Sequence, residues 1–482
     1  MHDKQIFEQV ARVTASTGIA AYVVGGYVRD QYMRRQGNKD IDVVVAGSGI
    51  TFAQAFAASL GEEVGRLVEF ADFDTARFIY LTTEEEGRTP LCEIEFAGAR
   101  TELYHEDSRK PVVSPTTIEQ DLSRRDFTVN AMARLIEQDG TLGPVIDPFD
   151  GQRDIEHKTL NTPLDPDQTF IDDPLRMLRA ARFAAQLQFS LDERVLLSMH
   201  KNKERIRIVS QERIQEELMK LFATVRPSQG LWLLHATRLL DECIPEVALL
   251  AGVEEVKGYS HKDNLSHTFA VIDNIAEQTP NPLLRFAGLM HDIAKPQTKQ
   301  FFEGRGWTFD MHEHLGKKMT KEIMRRLKFS RNDIQYVSTL VRWHLQPIAL
   351  MDKGVTDSAV RRLIVNLQEL LPDLLMLCRA DITTGNQYKK ERRLKNYDYL
   401  DQRIKEVLEA DKLRAFQSPL RGDEIMTLTG LKPGPTIGKI KAAIEEAILA
   451  GDIPNDYEAA KGYFEKIKEE YLAQAVDWEK NI

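Results

Sequence analysis

Two aspartates separated by one residue, Asp40 and Asp42, stand at the start of a β-branched run that predicts a strand at 41–46. Side chains two apart in a strand point the same way, so both carboxylates are expected to face one spot. Carboxylate oxygens bind hard cations such as Mg2+, which also take phosphates as ligands. Two metals about 3.5–4 Å apart can stabilise the attacking and leaving oxygens of a phosphoryl transfer. The pair therefore indicates metal-dependent chemistry on phosphates.

A Gly-Gly turn comes before the aspartates and follows a short apolar run, 20–24, that predicts another strand. Without a Cβ, Gly25 and Gly26 allow the backbone N–H groups to approach a triphosphate closely. Arg29 adds a positive fork that suits phosphate oxygens. A polar turn with solvated carboxylates is the plain alternative for any one of these features. Their combination is more specific, because each part supplies something that nucleotidyl transfer needs.

A second polar segment, residues 124–133, alternates polar and apolar residues in its centre. The alternation predicts a strand with Asp126, Thr128 and Asn130 on one face. Arg125 and Asp126 could there bind phosphate and ribose hydroxyls. An exposed antiparallel strand that binds no ligand is an equal alternative from these residues alone.

A helix is predicted to begin near Pro174, because Pro suits a first turn and the preceding Asp172 and Asp173 suit a helix N-terminus. Asp172, Arg176 and Arg179 would then share one face. Capping with an i,i+4 ion pair is the structural alternative. A carboxylate that accepts from an exocyclic amine, beside a guanidinium that donates to a ring acceptor, can also select a base. Cytosine and adenine both carry such an amine and acceptor.

Composition limits the class of protein. The 482 residues suggest roughly three or four domains. A formal charge of −10 argues against a general nucleic-acid coat, so RNA would meet a local basic face. Three distant cysteines without metal spacing are expected to be free thiols in a reducing cytoplasm. No run approaches about 18 apolar residues and no signal peptide is evident, so we expect a cytoplasmic protein without a membrane span.

Residues 1–150 mix strands with helices, whereas the pattern from about residue 172 onward is almost purely helical. We expect strands near 20–24, 41–46, 77–82 and 91–97, helices near 3–17 and 51–60, and a small hairpin around 304–309. The acidic loop 83–90, punctuated by Gly and Pro, is expected to be exposed.

In this order, the motifs resemble the class II tRNA nucleotidyltransferase (CCA-adding enzyme) and bacterial poly(A) polymerase family. The matching segments are Val24–Asp30 with Asp40-x-Asp42, Glu95 with Arg100-Thr101-Glu102, Arg124–Ala133, Asp147–Gly151 and Asp172–Leu187. The resemblance implies an α+β fold: a polymerase-β-like nucleotidyltransferase head with a mixed sheet, followed by an all-α body.

The resemblance also implies roles for individual residues. Asp40 and Asp42 would be catalytic and hold Mg2+, with Glu95 as a third carboxylate nearby. Asp173 and Arg176 would read the base. The full nucleotide-binding set would be Gly25, Gly26, Arg29, Arg125, Asp126, Asn130, Asp172, Asp173, Arg176 and Arg179. The family usually has Glu-Asp where this chain has Asp172-Asp173, which leaves the role of the shortened Asp172 open.

Histidines and aspartates recur along the helical part at His267, His291, Asp292, His312, His344 and Asp381. A lone helical His is usually structural, but an adjacent His-Asp pair with an upstream His and a downstream Asp is different. Imidazoles with carboxylates suit Mn2+, Fe, Ni2+ or Mg2+. The order resembles the HD-domain metal-dependent phosphohydrolases, with His312 and His344 where two-metal members have extra ligands. An HD fold kept only as a structural module is the alternative.

The two resemblances divide the chain into four parts. These are a nucleotidyltransferase head (1–150), a helical neck that binds nucleotide and RNA (151–250), an HD domain (251–400) and a helical tail (401–482). In the tail, a Pro-Gly-Pro turn precedes a predicted helix near Lys432 and Lys439 and could hold a tRNA phosphate. A helix–turn–helix packing motif is the alternative there.

We therefore expect template-independent addition of CMP and AMP, from CTP and ATP, to the 3′ end of tRNA with release of pyrophosphate. An HD phosphohydrolase activity with Mn2+, Ni2+ or Mg2+, for example on a 2′,3′-cyclic phosphate, could accompany it. The alternatives are poly(A) polymerase, CC-only or A-only addition, and a signalling enzyme that couples nucleotidyl transfer to HD hydrolysis. A non-catalytic RNA-binding protein is disfavoured because Asp40 and Asp42 are both present.

Overall fold

The structure, a computed structural model, describes residues 3–35, 40–61, 64–81, 89–105, 108–260, 263–351, 355–411, 418–473 and 475. The acidic loop expected at 83–90 lies almost wholly outside these residues. The chain forms two compact units. The first comprises Met1–Val253, Thr279–Arg285 and Ile323–Ser330, and the second comprises Glu254–Gln278, Phe286–Glu322 and Arg331–Ile482.

The strands concentrate in the first part of the chain, as expected. They are β1 (Ala21–Val24), β2 (Asp40–Val45), β3 (Gly65–Phe70), β4 (Thr75–Leu81), β5 (Pro90–Gly98), β6 (Arg100–His105), β7 (Ser108–Pro115), β8 (Ala133–Ile136), β9 (Leu142–Ile146), β10 (Thr159–Leu160), β11 (Ser190–Leu191), β12 (Glu255–Val256), β13 (Tyr259–Ser260), β14 (Gln300–Phe302) and β15 (Gly306–Thr308). The predicted hairpin is confirmed as β14–β15, which pair antiparallel.

Helices dominate after β9. Up to residue 253 they are α1 (Asp3–Thr17), α2 (Gly26–Tyr32), α3 (Gly49–Leu60), α4 (Ile118–Ser123), α5 (Gly151–His157), α6 (Pro166–Asp172), α7 (Leu175–Leu187), α8 (Glu193–Asn202), α9 (Gln211–Phe222), α10 (Pro227–Ala236), α11 (Leu240–Cys243) and α12 (Pro245–Ala248). Beyond it they are α13 (Asn264–Ala276), α14 (Pro282–Met290), α15 (Lys295–Thr298), α16 (His312–Arg326), α17 (Arg331–Trp343), α18 (Gln346–Ala349), α19 (Asp357–Leu367), α20 (Leu371–Ala380), α21 (Gln387–Asp411), α22 (Gly422–Thr429), α23 (Pro435–Ala450) and α24 (Tyr457–Ala473). Short 3-10 turns lie at Ala71–Phe73, Thr128–Asn130, Lys203–Ile208 and Gln368–Leu370.

The first unit is organised by a seven-stranded mixed sheet in the order β3-β4-β5-β2-β1-β8-β9. The central pair β2–β5 is parallel, and its neighbours β1–β2 and β4–β5 are antiparallel. Ile41 and Val43 of β2 are buried, while Asp40 and Asp42 between them are exposed. This alternation confirms that the two carboxylates share one face of the strand.

Helix α3 covers one part of the sheet with aromatic packing. Its Phe56 lies 4.9 Å from Phe96 of β5 and 5.4 Å from Phe78 of β4, measured between ring centroids, and all three are fully buried. Burying side chains of this size contributes about 1.5–3 kcal/mol each. The sheet is thereby fixed behind the strands that carry the acidic residues.

The second unit is helical apart from short hairpins. Its last helices, α22 to α24, form their own hydrophobic cluster around Ile425, Ile440, Ile444 and Phe464. None of the helices in the described parts of the chain combines the length and apolar character that crossing a bilayer requires.

Candidate active site

The acidic wall of the first site is set by strand register. In the parallel pair β2–β5, Asp42 stands opposite Glu95 and Asp40 stands opposite Glu93. Arg77 of β4 donates from Nη2 to Glu95 at 3.0 Å and lies 3.3 Å from Glu93. Four carboxylates therefore share a small area of the sheet, partly neutralised by one guanidinium.

The surroundings of Asp42 disfavour its charged form. Its side chain keeps solvent contact, yet it lines a cleft and is crowded by protein. Crowding by protein raises its pKa, and the negative charges of Glu95 and Asp40 add to the rise, while Arg125 opposes it. Oxygen donors that repel one another in this way suit a divalent cation, which relieves the repulsion by binding them together.

The Gly-Gly turn lies against Asp42. Gly25 has a φ of +69°, and a Cβ placed there would lie 3.2 Å from Nη1 of Arg125 and 3.6 Å from Oδ2 of Asp42. A glycine at this position therefore keeps open the space between the guanidinium and the carboxylate. Helix α2 starts directly afterwards at Gly26.

Arg29 does not line the cleft. It is 4% exposed, and it donates to Asn130 Oδ1 at 2.7 Å and to Asp30 Oδ1 at 2.8 Å. The expected phosphate fork is instead an internal brace that ties α2 to the segment around Asn130.

That segment corrects an expectation. Residues 124–133 do not form a strand with one exposed polar face; Thr128–Asn130 is a 3-10 turn and β8 begins only at Ala133. Asp126 Oδ1 accepts from the backbone N of Phe127 and from Asn130 Nδ2, which folds the chain back on itself. Polar and apolar residues alike are buried here, so the alternation marks a packed turn.

Asp126 is an ion-pair centre. Arg179 donates to its Oδ2 from Nε at 2.8 Å and from Nη2 at 2.6 Å. Burial by itself would raise the pKa of Asp126, but Arg179 and the hydrogen bond from Asn130 outweigh it and lower the pKa to about 2. The predicted residues Asp126, Asn130 and Arg179 are thus brought together.

The expected helix start near Pro174 also needs correction. Asp172 is the last residue of α6, and its carboxylate accepts from Gln168 Nε2 at 2.6 Å. It shares no helix with Arg176 and Arg179, because α7 starts at Leu175. Asp173 lies at the junction, where its Oδ1 accepts from the backbone N of Leu175. The chain breaks here because Pro174 cannot continue the hydrogen bonds of α6.

Between these walls lies a cavity of about 360 Å³. The acidic residues Asp42, Glu95, Asp126 and Asp173 share it with a group of arginines: Arg100, Arg124, Arg125, Arg176, Arg179 and Arg213. Asp42 and Glu95 thus stand together on the strands, whereas Asp126 and Asp173 stand among the guanidinium groups. That division suits a ligand with phosphates and a polar base edge.

Sequence reasoning missed the residues that hold this cleft in shape. The fully buried Asp121 binds both Arg124 and Arg125, and its spacing of three and four residues before them could have revealed it. Arg213 of α9 lies 3.5 Å from Asp173, and Glu217 lies 3.7 Å from Arg179. No local pattern connects α9 to the cleft.

The second centre lies in the other unit and gathers all the predicted histidines and aspartates. Two triads have their ligand atoms within 4.8 Å of one another: His267, His291 and Asp381, and Asp292, His312 and His344. Their side chains lie at or near the ends of five helices, with His291 and Asp292 adjacent after α14. Residues up to 114 positions apart in the sequence thus meet in one place.

The four histidines are oriented alike. Each Nδ1 is hydrogen-bonded outward, to Thr383 Oγ1 or to the carbonyl oxygens of Gly288, Phe309 and Val341, at 2.7–2.8 Å. Every Nε2 therefore points inward. Hydrogen bonds of this kind fix the ring and the tautomer of metal-ligating histidines.

Asp292 joins the two triads. Its Oδ2 lies 3.1 Å from His291 Nε2 and 3.5 Å from His267 Nε2, while its Oδ1 lies 3.3 Å from His312 Nε2 and 3.9 Å from His344 Nε2. Ligands bound about 2.0–2.2 Å from a metal are separated by about 3 Å. The donor set and these separations fit two cations bridged by one carboxylate.

Charge in this centre also fits cations. Burial would lower the pKa of His291, but Asp292 and Asp381 raise it to about 10, so a positive charge is stabilised there. Burial and the neighbouring His291 lower the pKa of His344 to about 4, which keeps that imidazole neutral. Lys295, which the sequence argument overlooked, contacts Asp292 Oδ2 at 2.5 Å.

A mixed sheet that presents paired carboxylates to a basic cleft, with a helical unit built around a His/Asp centre, defines a nucleotidyltransferase joined to an HD-type domain. The chain matches the poly A polymerase head domain over residues 21–161, the probable RNA and SrmB-binding site of polymerase A over 188–250, and the HD domain over 264–386. It belongs to the tRNA nucleotidyltransferase family, and the expected class of enzyme and fold are confirmed.

Two relatives and one solved structure illustrate the likeness. The A-adding tRNA nucleotidyltransferase of Deinococcus radiodurans is 31% identical over 72% of this chain and 78% of the relative. The multifunctional CCA protein of Xylella fastidiosa is 34% identical over 75% of this chain and 83% of the relative. A CCA-adding enzyme of Bacillus stearothermophilus, solved in complex with CTP, has a TM-score of 0.68 at 18% identity, covering 98% of this chain and all of that one.

Proposed function

We propose that this enzyme adds the complete CCA sequence to the 3′ end of tRNA, using CTP and ATP. The observation that carries the proposal is the single cleft that joins the acidic face of β2 and β5 to Asp173 and its neighbouring guanidinium groups. One wall suits the triphosphate and the other suits a base edge with an amine and a ring acceptor. Relatives named for A addition and for CCA addition support the same reaction class.

Asp40 and Asp42 would hold Mg2+, with Glu95 beside them. Divalent cations held there would lower the pKa of the attacking hydroxyl and neutralise the leaving pyrophosphate. The crowded carboxylates and the open space kept by Gly25 fit such ions together with a triphosphate.

The remaining residues bind and orient the nucleotide. The 3′ hydroxyl of the RNA attacks the α-phosphorus, a new P–O bond forms, and the bond to pyrophosphate breaks on the opposite side. Arg124 and Arg125, held by Asp121, would receive the phosphates, and Gly25 and Gly26 would let the backbone approach them.

Asp173 and Arg176 would read the base, with Arg179 and Asp126 as the rigid support behind them. Arg176 donates from Nη2 to the carbonyl oxygen of Arg124 at 2.6 Å, which links the base-reading helix to the phosphate-binding turn. Arg29 and Asn130 would act by positioning α2 rather than by touching phosphate.

The decisive experiment supplies tRNA lacking its last three nucleotides, with CTP and ATP separately and together. CCA addition predicts two residues with CTP alone and three with both. Extension beyond the third residue would instead identify a poly(A) polymerase, and a stop after CC or a need for preformed CC would identify the partial activities.

Asp173→Asn tests the base-reading role. We expect the difference in activation free energy that favours CTP and ATP over GTP and UTP, obtained from kcat/KM, to fall by about 1–3 kcal/mol. This is the value of one bidentate contact. Asp165→Asn is the matched control, because the exposed Asp165 caps the start of α6 and Asn keeps that cap. Equal losses for all four nucleotides would assign Asp173 a purely structural role.

We propose phosphohydrolysis as a second activity, carried by the His/Asp centre. His267, His291, Asp292 and Asp381 would hold one cation, and Asp292, His312 and His344 a second; Mn2+, Ni2+ and Mg2+ are the candidates. Cations bound there would activate water toward a phosphoester such as a 2′,3′-cyclic phosphate. Hydrolysis of 2′,3′-cyclic CMP with each metal tests the proposal, and inactivity with all three would leave the centre a structural one.

The proposed layout is a head (1–150), a neck (151–250), an HD domain (251–400) and a tail (401–482) that contacts tRNA. In the tail, α23 starts at Pro435 directly after Gly434, which supports a phosphate contact near Lys432 and Lys439. A cytoplasmic location belongs with this proposal, since tRNA is the substrate.

A further inference from the structure

Helix α21 starts with a strongly basic stretch. Between Gln387 and Tyr397 the one acidic residue is Glu391, whose carboxylate accepts from Gln387 Nε2. The α21 basic segment consists of Lys389, Lys390, Arg392, Arg393 and Lys395. All five side chains are exposed, and within the described parts of the chain none of them forms an ion pair.

This stretch projects beyond the packed part of the helix. The buried side of α21 begins at Tyr397 and continues through Leu400 and Ile404. The acids of that later part are used internally, since Asp398 and Asp401 both bind Arg379 of α20. The basic start of α21 is therefore exposed and, among the described residues, without ion pairs, whereas Asp398 and Asp401 farther along the helix are paired with Arg379.

The placement of the cations is unfavourable for the helix itself. Lys389 lies three and four residues before Arg392 and Arg393, and like charges at those spacings destabilise a helix. Cations in the first turns also oppose the helix dipole, and the first turn has no acid to compensate. A polyanion bound to these cations would relieve both penalties, although the chain as a whole carries a net charge of −10.

The connection into α21 touches the His/Asp centre. Thr383 Oγ1 forms a hydrogen bond of 2.7 Å with Nδ1 of His267. Asp381 directly follows α20. Lys389 lies six positions after Thr383, a reach of at most about 20 Å. At about 3.4 Å per nucleotide of a stacked strand, that distance is about six nucleotides.

We propose that the α21 basic segment binds RNA phosphates and thereby makes RNA 3′ ends, rather than free nucleotides, the preferred substrate of the HD centre. The proposal rests on the hydrolase function proposed above. The exposed Tyr388, directly before the segment, suits stacking on an unpaired base.

The test compares two substrates of the full-length protein loaded with Mn2+: a short RNA that ends in a 2′,3′-cyclic phosphate, and 2′,3′-cyclic CMP. For K390Q/R392Q/R393Q we expect KM for the RNA to rise on the order of tenfold at physiological salt, with kcat and cyclic CMP hydrolysis unchanged. The salt dependence of the RNA's KM should weaken by about 0.7 in log–log slope for each lost contact.

Two controls complete the design. R325Q/K328Q/R331Q removes the same charge from exposed positions elsewhere and should behave as wild type. K390R/R392K/R393K keeps the charge and should restore RNA preference. The inference is overturned if KM for the RNA is unchanged in K390Q/R392Q/R393Q. It is also overturned if KM for the RNA rises equally in R325Q/K328Q/R331Q. If wild type hydrolyses neither substrate, the hydrolase proposal fails, and the substrate role of α21 fails with it. Hydrolysis of both with equal kcat/KM overturns the α21 inference alone.

Discussion

The head cleft and the HD centre both collect carboxylates that suit metal ions, but they are built on opposite plans. In the head, Asp40 and Asp42 share the exposed face of one strand, Asp42 lines an open cleft, and their positions follow from strand register. In the HD centre, Asp292 is 2% exposed, and each histidine is fixed from behind by a hydrogen bond to Nδ1.

The difference indicates how each centre would handle its ions. Mg2+ is usually held by one or two carboxylates together with substrate phosphates, which matches the open wall of the head. A buried set of imidazoles and carboxylates instead forms most of a coordination shell without substrate. We therefore expect ions to arrive with the nucleotide in the head and to stay bound in the HD centre.

The largest effect should come from removing a carboxylate from the head cleft. Asp42→Ala should reduce addition of both CMP and AMP by at least about a thousandfold, because several kcal/mol of transition-state stabilisation depend on this carboxylate. Single-turnover incorporation into tRNA measures it. Asp72→Ala, in the exposed turn Ala71–Phe73, is the matched control and should be near wild type. Addition by the Asp42 variant at close to the normal rate would disprove the metal assignment.

The next effect separates the two triads of the HD centre. After equilibration with Mn2+ and gel filtration, we expect about two tightly bound ions in wild type, about one in His344→Ala and almost none in Asp292→Ala, since the Asp292 carboxylate lies between both groups of histidines and would serve both cations. Metal analysis measures this directly. The exposed His314→Ala is the matched control.

Nucleotide addition by the same HD variants tests whether the centres are independent. The two centres share no described residue, and sites without shared partners act additively, so we expect rates within about twofold of wild type. In the metal analysis, an equal loss of metal in His344→Ala and Asp292→Ala would contradict the role proposed for Asp292 as a residue shared by both cations.

A moderate effect on stability should come from Asp126→Asn. The folded-state pKa of Asp126, about 2, lies below its ordinary value of 3.8, so ionised Asp126 stabilises the fold above about pH 4. That contribution, roughly 2 kcal/mol at pH 7, is lost as the pH falls toward 2. Urea denaturation at pH 7, 5, 4 and 3 should therefore show a gap to wild type that narrows at low pH. A gap that is constant with pH would mean that the variant only disturbs packing.

Local patterns predicted the parts of the molecule that local rules determine. The alternation in β2 correctly placed Asp40 and Asp42 on one face, because period-two exposure is a property of the strand itself. The order of histidines and aspartates correctly predicted one cluster. A similar alternation at 124–133 predicted a strand, and that prediction was wrong. There, burial and the hydrogen bonds that Asp126 accepts within its own turn outweigh strand propensity.

Contacts between distant segments could not be read from the sequence. The spacing of Asp172 and Arg176 predicts that they share one helix face. In the structure, Pro174 separates α6, which ends at Asp172, from α7, which carries Arg176. Arg213 reaches Asp173 only because α9 packs beside α7, and no motif near residue 213 indicates that packing.

The smallest effect should come from this last contact. Arg213 lies 3.5 Å from Asp173, and about half of its side chain is exposed, so the ion pair is worth at most about 1 kcal/mol. Arg213→Gln should leave the cleft folded but let Asp173 move, which lowers the preference for CTP and ATP over GTP and UTP by less than about fivefold. Steady-state kcat/KM for the four nucleotides measures the change. Arg194→Gln, which breaks a comparable exposed pair with Asp192 on α8, is the matched control. A loss as large as that of Asp42→Ala would mean that Arg213 contacts the nucleotide itself, and the basic wall of the cleft would then have to extend to α9.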